Sequence, residues 1–336
     1  MSQSYRPLRS LAFRLVMLSV VFLLLTVFIV TTVVLYKKFS AIEYELAYEH
    51  MRRIEQAFLN VRDALEVKSA DWAIWDDTYR YVVDLNPEYV SSNLTVSSFS
   101  NLQINFVLLF DQNNNLVHKT SLDWKTKNQE SFPDDFLRIF GPESPLLKFD
   151  SIDSVRSGVV MSSVGPIILV SRPILNSQAQ GPSNGVLVFA KILDQGTLDK
   201  MSRSLQLHLS MSPWAEGLNK EITVDVLSKD KMLGRCLIYD VQGKPALILS
   251  AEIPRNIIRQ AFYSAGWLFI LLMCVGLLFF LITYHFIDRK FLRRLEFLTQ
   301  QTEAVAKDDT GKLTLKLEGN DELSRLVNLI NEVVTE

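Results

Sequence analysis

Two long uncharged runs of apolar residues constrain this chain more than any other feature. The first extends from Leu15 to Tyr36 with only Ser and Thr as polar interruptions, and the second extends from Ala261 to Ile287 without Asp, Glu, Lys or Arg. About 20 consecutive apolar residues are enough to cross the hydrocarbon core of a bilayer. The mean hydropathy of the whole chain, +0.15, is high for a soluble protein. Both runs are therefore expected to span a membrane.

A cleaved secretory signal is the alternative interpretation of the first run, because Arg6, Arg9 and Arg14 supply a basic amino-terminal region. Its apolar stretch is longer than the about 7–15 residues of a signal core. The residues that follow, Leu35 to Lys38, offer no small-residue cleavage site. We therefore interpret the first run as a retained span.

Basic residues on the short flanks predict the orientation. Arg6, Arg9 and Arg14 precede the first run, and a second basic group, Arg289, Lys290, Arg293 and Arg294, follows the second. Short flanks rich in Lys and Arg stay in the cytoplasm. The sequence predicts a protein of the bacterial inner membrane with both termini cytoplasmic. Its predicted segments are a cytoplasmic terminus (1–14), a span (15–36), a periplasmic domain (37–260), a span (261–287) and a cytoplasmic segment (288–336).

Composition and motifs exclude several classes of function. The net charge is −2, and acidic and basic residues are mixed along the chain. Because no basic patch stands out, no nucleic-acid partner is expected. The two cysteines, Cys236 and Cys274, fall in different predicted segments, and Cys236 is expected to be a buried free thiol or to bridge two chains. No Gly-Gly pair, HExxH, CxxC or GxSxG occurs. We expect no metal, no cofactor and no catalytic activity in this segment.

A helical repeat follows the first span. No Pro or Gly occurs from Tyr36 to Ala70, and apolar residues recur at helical spacing. These residues are Ile42, Leu46, Ile54, Phe58, Val61 and Leu65. The pattern predicts one long helix, a stalk that can lie against the stalk of a second chain.

Short strands follow the stalk. A hairpin is predicted from Ile104–Phe110 and Leu116–Thr120, joined by the Asp/Asn turn at 111–115. A short helix is predicted in 132–149, interrupted at Gly141-Pro142 and Pro145. Further strands are expected at 158–164, 167–175, 185–193, 222–227, 234–241 and 246–253. The sequence therefore predicts an α+β domain with one central antiparallel sheet.

One cluster, Asp71-Trp72-Ala73-Ile74-Trp75-Asp76-Asp77-Thr78-Tyr79-Arg80-Tyr81, is the most distinctive part of the chain. It resembles the signature of the fourth CHASE class, extracellular sensory domains that precede bacterial cyclases and histidine kinases. The segments Asn86 to Tyr89, Asn105 to Asp111, Ser171 to Ile174, Gly185 to Val188, Gly243 to Ala246 and Pro254-Arg255 resemble that family in the same order. The resemblance covers most of 45–258 and implies a PAS-like, Cache-type fold.

The cluster also suggests a ligand site. If Asp71 to Tyr81 is helical, Trp72, Asp76 and Tyr79 share one face, and Trp75 lies on a neighbouring face. Aromatic rings beside carboxylates can enclose a cationic or hydroxyl-rich ligand. The hypothesis assigns ligand contact to Trp72, Trp75, Asp76, Asp77, Tyr79 and Asn105, the ligand being an unidentified small molecule or protein. The alternative is that the aromatic residues are core and the carboxylates cap a helix or tie loops.

Two heptad segments follow the second span. The first carries Phe291, Leu295, Leu298, Thr302 and Val305, and the second carries Leu323, Leu326, Ile330 and Val333. With the connector at 307–320, they resemble a HAMP relay, which implies a homodimer with a parallel four-helix bundle. Asp321 is expected to cap the second helix, and Glu322 to face its positive end. The chain lacks the Pro that this family has near Phe291, which leaves the bend there in doubt. An unrelated coiled coil is the alternative.

The sequence thus predicts a transmembrane input module that senses an external signal and controls a cytoplasmic output. The resemblance points first to a GGDEF diguanylate cyclase or GGDEF/EAL output. The alternatives are the input module of a sensor histidine kinase and a stand-alone membrane-anchored binding protein. Because the last predicted helix ends at Glu336 without a Gly or Pro stop, the stand-alone protein is the least favoured.

Overall fold

The computed structural model describes residues 8–335 except 124, 125, 130, 142, 219, 307–314, 318 and 320. The chain divides into two units, Ala41–Asn256 and the pair of segments Met1–Ser40 and Ile257–Glu336. Arg6 and most of the connector at 307–320 lie outside the described residues.

Nine α-helices occur in the described residues. Helix α1, Leu8–Ala73, contains the predicted stalk, so the prediction of one helix from Tyr36 to Ala70 is confirmed. The other helices are α2 (Asp76–Asp84), α3 (Pro87–Asn93), α4 (Val96–Leu102), α5 (Asp134–Arg138), α6 (Gln195–Leu205), α7 (Asn256–Ile287), α8 (Arg293–Ala306) and α9 (Glu322–Thr335). A 3₁₀ turn, Pro145–Leu147, and a π-helical turn, Asp288–Leu292, complete the set.

Strand pairing ends helix α1. The Leu175 N–H donates to the Ala73 carbonyl at 2.8 Å, and Ile74 forms a bridge with Leu175. Trp75 then adopts an extended conformation and α2 begins at Asp76. The single helix considered for Asp71 to Tyr81 is therefore wrong. It is wrong because the backbone at residues 73–75 pairs with a strand that is remote in sequence.

A six-stranded antiparallel sheet forms the larger layer of Ala41–Asn256. Its order is β3-β2-β1-β6-β5-β4. The strands are β1 (Phe106–Asp111), β2 (Leu116–Asp123), β3 (Asn128–Gln129), β4 (Arg156–Ser162), β5 (Gly165–Ile174) and β6 (Gly185–Ile192). The β1–β2 hairpin is confirmed. The Asp111 carboxylate accepts the N–H groups of Asn113 and Asn115, both at 2.8 Å, and closes the turn.

Both faces of this sheet are covered. One face packs on α1 through residues such as Val107, Ile168 and Leu187. The other face carries a separate apolar cluster in which Phe106, Phe136 and Phe140 are buried. Phe136 contacts both other rings, with centroid distances of 5.2 and 5.4 Å.

The last four strands form a second sheet, which corrects the prediction of one central sheet. Its order is β7-β10-β9-β8. The strands are β7 (His208–Pro213), β8 (Ile222–Val226), β9 (Lys231–Tyr239) and β10 (Pro245–Pro254). Strand β7 was not predicted. In it only Leu209 is buried, so its apolar alternation is too short to be recognised.

In the other unit, α7 runs antiparallel to the first part of α1. Phe13 contacts Phe280 at 5.2 Å, Phe28 contacts Phe269 at 4.5 Å, and Tyr36 contacts Phe262 at 6.4 Å between ring centroids. The approach is closest at Gly276, where an added Cβ would lie 2.6 Å from a methyl group of Leu24. Close backbone approach at glycine is typical of helices that pack within membranes.

Candidate functional site

The aromatic residues of the recognised cluster pack on the domain core. The Trp72 ring lies 5.8 Å from the Phe189 ring and 5.9 Å from the Trp75 ring, and Trp75 lies 6.1 Å from Tyr89. Both tryptophans are half-buried against the larger apolar cluster. Edge-to-face contacts at these distances stabilise packing. The structure therefore brings Trp72 and Trp75 together, where they pack on the core at the junction of α1 and α2.

The polar residues of the cluster fix the start of α2 against loops. The Ser177 N–H donates to the Asp76 carboxylate at 2.9 Å, and the Asp76 N–H donates to the Ser177 hydroxyl at 3.1 Å. The Tyr79 hydroxyl donates to the Pro182 carbonyl at 3.2 Å. Asp77 forms an exposed ion pair with Arg80. These contacts are those expected of side chains that tie loops together, and a ligand role for them stays a prediction.

Asn105 is buried and connects three strands. Its side-chain carbonyl accepts the Ile192 N–H at 3.0 Å, and its amide donates to the Leu122 carbonyl at 3.4 Å. Both side-chain ends are thus engaged by backbone groups. Asn105 precedes β1 and fixes it between β2 and β6, and its hydrogen-bond partners are different from the Ser177 partner of Asp76.

A tyrosine pair between α2 and α3 was not singled out from the sequence. Tyr81 and Tyr89 stack with a centroid distance of 4.5 Å, and the Tyr89 hydroxyl bonds with Thr78 at 2.8 Å. Burial raises the pKa of Tyr89 to about 12. The pair borders a polar pocket of ≈ 320 Å³ that Asp77 also lines. The helix start at Asn86-Pro87 was the available signal, because it turns Tyr89 back towards α2.

A buried ion pair connects the two chain ends of the Ala41–Asn256 unit. The Arg255 Nε donates to Glu43 Oε2 at 2.8 Å, and the side chains are 8% and 4% exposed. Arg255 also donates its backbone N–H to the Asp230 carbonyl at 2.8 Å. The pair joins α1 to the end of β10, immediately before the chain enters α7. Sequence analysis noted Pro254-Arg255 only as part of the family resemblance.

A π-helical turn, Asp288–Leu292, separates α7 from α8. This turn contains Phe291, near which the HAMP family has a proline that this chain lacks. The Arg293 Nε donates to the Asp288 carboxylate at 3.1 Å across this turn. Single π-turns within helices often produce kinks and occur at functional sites. The turn therefore supplies a local change of helix geometry without proline.

Arg294 connects the beginnings of α8 and α9. Its guanidinium pairs with both oxygens of the Asp321 carboxylate and donates to the Ser324 hydroxyl at 3.2 Å. The hydrogen bond from Arg294 holds the pKa of Asp321 well below its usual range. Asp321 also accepts the Ser324 N–H at 3.1 Å, so it caps α9 as expected. Glu322 lies in the first turn of α9, as predicted.

A second set of contacts shows that α8 and α9 run in the same direction. One heptad beyond Arg294, the Gln301 side chain accepts the Lys316 N–H at 2.9 Å. One heptad beyond Ser324, the Asn331 side chain exchanges two hydrogen bonds with the Leu315 backbone, at 2.8 and 2.9 Å. Residues 315 and 316 are adjacent, so the two helices advance in parallel.

The apolar residues that the sequence analysis assigned to a relay differ in their exposure within a single chain. Leu295 and Leu298 are half-buried, whereas Phe291, Leu326 and Ile330 are exposed. Val327, which was not assigned to the relay, is buried. The side chains of Val305 and Val333 lie outside the described residues. Among the described residues, no group of His, Cys, Asp or Glu could hold a metal ion.

A sheet-rich domain between two apolar helices defines the class. The stretches Ser10–Ala73 and Asn256–Thr302 each contain a segment long and apolar enough to cross a membrane. With the domain between them, this is the organisation of the sensor input part of a signalling receptor. Residues 57–212 match the model of the CHASE4 domain, so the chain carries a CHASE4 domain.

Similar proteins were found by sequence and by fold. The chain is 26% identical over 302 residues to the methanogenesis regulatory histidine kinase FilI of Methanothrix harundinacea, a match that covers 87% of this chain and 34% of FilI. The chain thus spans about a third of that relative. Similar solved structures include the periplasmic domain of Vibrio cholerae LuxQ (11% identity, 61% of this chain, 98% of that chain, TM-score 0.38). The sensor domain of the V. cholerae histidine kinase DctB is another (11% identity, 65% and 98%, TM-score 0.37).

Proposed function

We propose that this chain is the transmembrane input module of a sensor histidine kinase. The observation that carries the proposal is the extent of the similarity to FilI, 302 residues, whereas the CHASE4 match covers only residues 57–212. The similarity therefore includes segments outside the sensor domain. It favours a kinase output over the cyclic di-GMP enzyme that the sequence analysis placed first.

In this proposal, the CHASE4 domain lies outside the cytoplasmic membrane, and both termini lie inside. The basic flanks support this orientation, because Arg14 precedes the first apolar run and Arg289 and Lys290 follow the second. A signal changes the positions of α1 and β10 at the Glu43–Arg255 pair, and each of these elements leads to one span. Stiff helices are suited to carry such a displacement.

The cytoplasmic helices α8 and α9 act as the relay. Their parallel course and the Arg294–Asp321 contact support a HAMP-like pair. The exposed side chains of Leu326 and Ile330 provide an apolar stripe that a second copy of the chain would cover. The proposed active form is a parallel homodimer.

The output is tested with membrane vesicles that contain the whole receptor. Incubation with labelled ATP should give phosphorylated histidine on the receptor, because the proposal assigns the module to a kinase. Formation of cyclic di-GMP from GTP would instead contradict the kinase assignment and restore the cyclase output.

Topology and dimerisation are tested with single cysteines in a background in which Cys236 and Cys274 are replaced by Ala. Ser228→Cys should react with an impermeant maleimide in intact cells, and Gln300→Cys only after permeabilisation. In membranes, Leu326→Cys and Ile330→Cys should form crosslinked dimers, whereas the exposed neighbour Arg325→Cys should crosslink much less. Equal labelling of both positions, or a strictly monomeric population, would contradict the proposal.

A further inference from the structure

The two sheets of the Ala41–Asn256 unit meet at one edge. Strand β4 is the last strand of the six-stranded sheet, and the β9–β10 turn lies beside it. The Val241 N–H donates to the Val159 carbonyl at 3.1 Å, and Val159 forms a parallel bridge with Asp240. The approach is close because a Cβ on Gly158 would lie 2.9 Å from Cγ1 of Val241. The sheets are thus connected directly at this point.

An open groove of ≈ 920 Å³ lies over this junction. Its apolar lining includes Ile139, Met161 and Trp214, which come from α5 and its continuation, from β4 and from the end of β7. The volume is within the range of about 300–1,000 Å³ that is common for small-molecule sites. None of the residues assigned to ligand contact in the sequence analysis lines it. The groove is therefore a second, separate candidate site.

The charged residues that line the groove differ in the hydrogen bonds and ion pairs that they form within the protein. Glu143 forms an ion pair with Lys148. The Asp240 carboxylate accepts the N–H groups of Gln242 and Lys244, both at 2.8 Å, within its own turn. In the part of the chain that the structure describes, the Arg138 guanidinium has no hydrogen bond or ion pair, although it lines the groove. Among these three side chains, Arg138 is therefore the one whose hydrogen-bond donors are available to a ligand.

We propose that this groove binds a small organic carboxylate with an apolar body. Arg138 donates hydrogen bonds to the carboxylate, because a guanidinium fork matches the geometry of a carboxylate. Trp214, Met161 and Ile139 contact the body of the ligand. The groove has walls from both sheets, so a bound ligand changes the contact between β4 and the β9–β10 turn. The inference rests on the proposed sensor role, which it deepens by naming a ligand class and a site.

The test measures binding directly on the full chain in detergent, without an output. The probes are phenylacetate and indole-3-acetate, and the neutral controls are phenylacetamide and indole-3-acetamide. Calorimetric titration should show binding of at least one carboxylate and much weaker binding of its amide. Arg138→Gln should raise the dissociation constant of that carboxylate by about tenfold or more, since a charge-assisted hydrogen bond is lost.

Arg203→Gln is the matched control, because Arg203 is an exposed arginine on α6 that does not line the groove. It should leave the dissociation constant unchanged. Trp214→Phe keeps an aromatic wall and should abolish most of the ligand-induced change in tryptophan fluorescence while binding persists.

Three results would overturn the site: binding of neither carboxylate, equal binding of acid and amide, or equal effects of the Arg138 and Arg203 variants. Any of these leaves the topology and kinase tests untouched. Conversely, carboxylate binding in a chain that fails those tests would retain the groove and refute the receptor role.

Discussion

The six-stranded and four-stranded sheets of the sensor unit are stabilised in different ways. The six-stranded sheet is covered on one face by α1 and on the other by the cluster around Phe136. The four-stranded sheet packs on α1 through one face. Its opposite face carries the ion pairs Arg235–Asp225 and Lys231–Glu252 and the buried side chains of Leu237 and Ile248, which belong to neither of the two large apolar clusters. We therefore expect the four-stranded sheet to depend more on its contact with α1 than the six-stranded sheet does.

The Glu43–Arg255 pair is a buried polar connection between α1 and the end of β10. Glu43→Gln should lower the free energy of unfolding by about 3–5 kcal/mol, because it leaves a buried arginine charge without its partner. Urea titration of the full chain, followed by tryptophan fluorescence, measures the loss. The double change Glu43→Leu with Arg255→Met should recover most of it, since a well-packed apolar pair can replace a buried ion pair.

Glu252→Gln is the matched control, because Glu252 lies on β10, three residues before Arg255, and forms an exposed ion pair. Glu252 pairs with Lys231 at 2.6 Å, but the two side chains are 42% and 54% exposed. Its loss should therefore change the free energy of unfolding by about 0–1 kcal/mol. Similar losses of unfolding free energy in both variants would show that the burial of the Glu43–Arg255 pair does not make it more important for stability than an exposed pair.

A pair of leucines compares the outer faces of the two sheets directly. Leu108 of β1 is fully buried in the cluster around Phe136, and Leu233 of β9 is half-buried on the face away from α1. Leu108→Ala should lower the free energy of unfolding by about 2–5 kcal/mol because it leaves a cavity. Leu233→Ala should cost about 1 kcal/mol or less. Equal losses in urea titration would mean that both outer faces contribute alike.

Gly234 tests how closely α1 must approach β9. A Cβ at this position would lie 2.3 Å from Sδ of Met51, so Gly234→Ala displaces Met51 or the helix. The expected loss is about 1–3 kcal/mol. Met51→Ala in the same chain should offset part of that loss, and a double-mutant cycle measures the coupling. If the losses from the two changes are strictly additive, contact between Met51 and position 234 does not cause the loss of stability in Gly234→Ala.

Asp76 should give a small effect, because its carboxylate accepts a hydrogen bond from the exposed loop that follows β5. Asp76→Asn keeps an acceptor for the Ser177 N–H and removes the charge, so a loss of about 1 kcal/mol is expected. Asp77→Asn, the adjacent control, removes only an exposed pair and should cost about 0.5 kcal/mol or less. If Asp76 instead binds a ligand, the Asp76→Asn variant should keep the free energy of unfolding of the unchanged protein but should no longer be stabilised by the ligand.

Local patterns were sufficient for most elements of the fold. The stalk helix, the β1–β2 hairpin and the Asp321 cap follow from residues close together in sequence, and the structure contains all three. The division into two sheets was not predictable in this way. Strand β7 has one buried residue, and the pairing of β7 with β10 joins segments more than 30 residues apart.

The sequence by itself determined the two apolar runs, the CHASE4 resemblance and the heptad spacing after the second run, because each depends on composition or short periodicity. Only the tertiary structure decided the chemistry of individual side chains. It ended α1 at Ala73 by pairing with Leu175, joined Glu43 to Arg255 across 212 positions, and opened the groove beside Arg138. Burial and charge pairing depend on contacts between remote segments, and local residue patterns carry no information about such contacts.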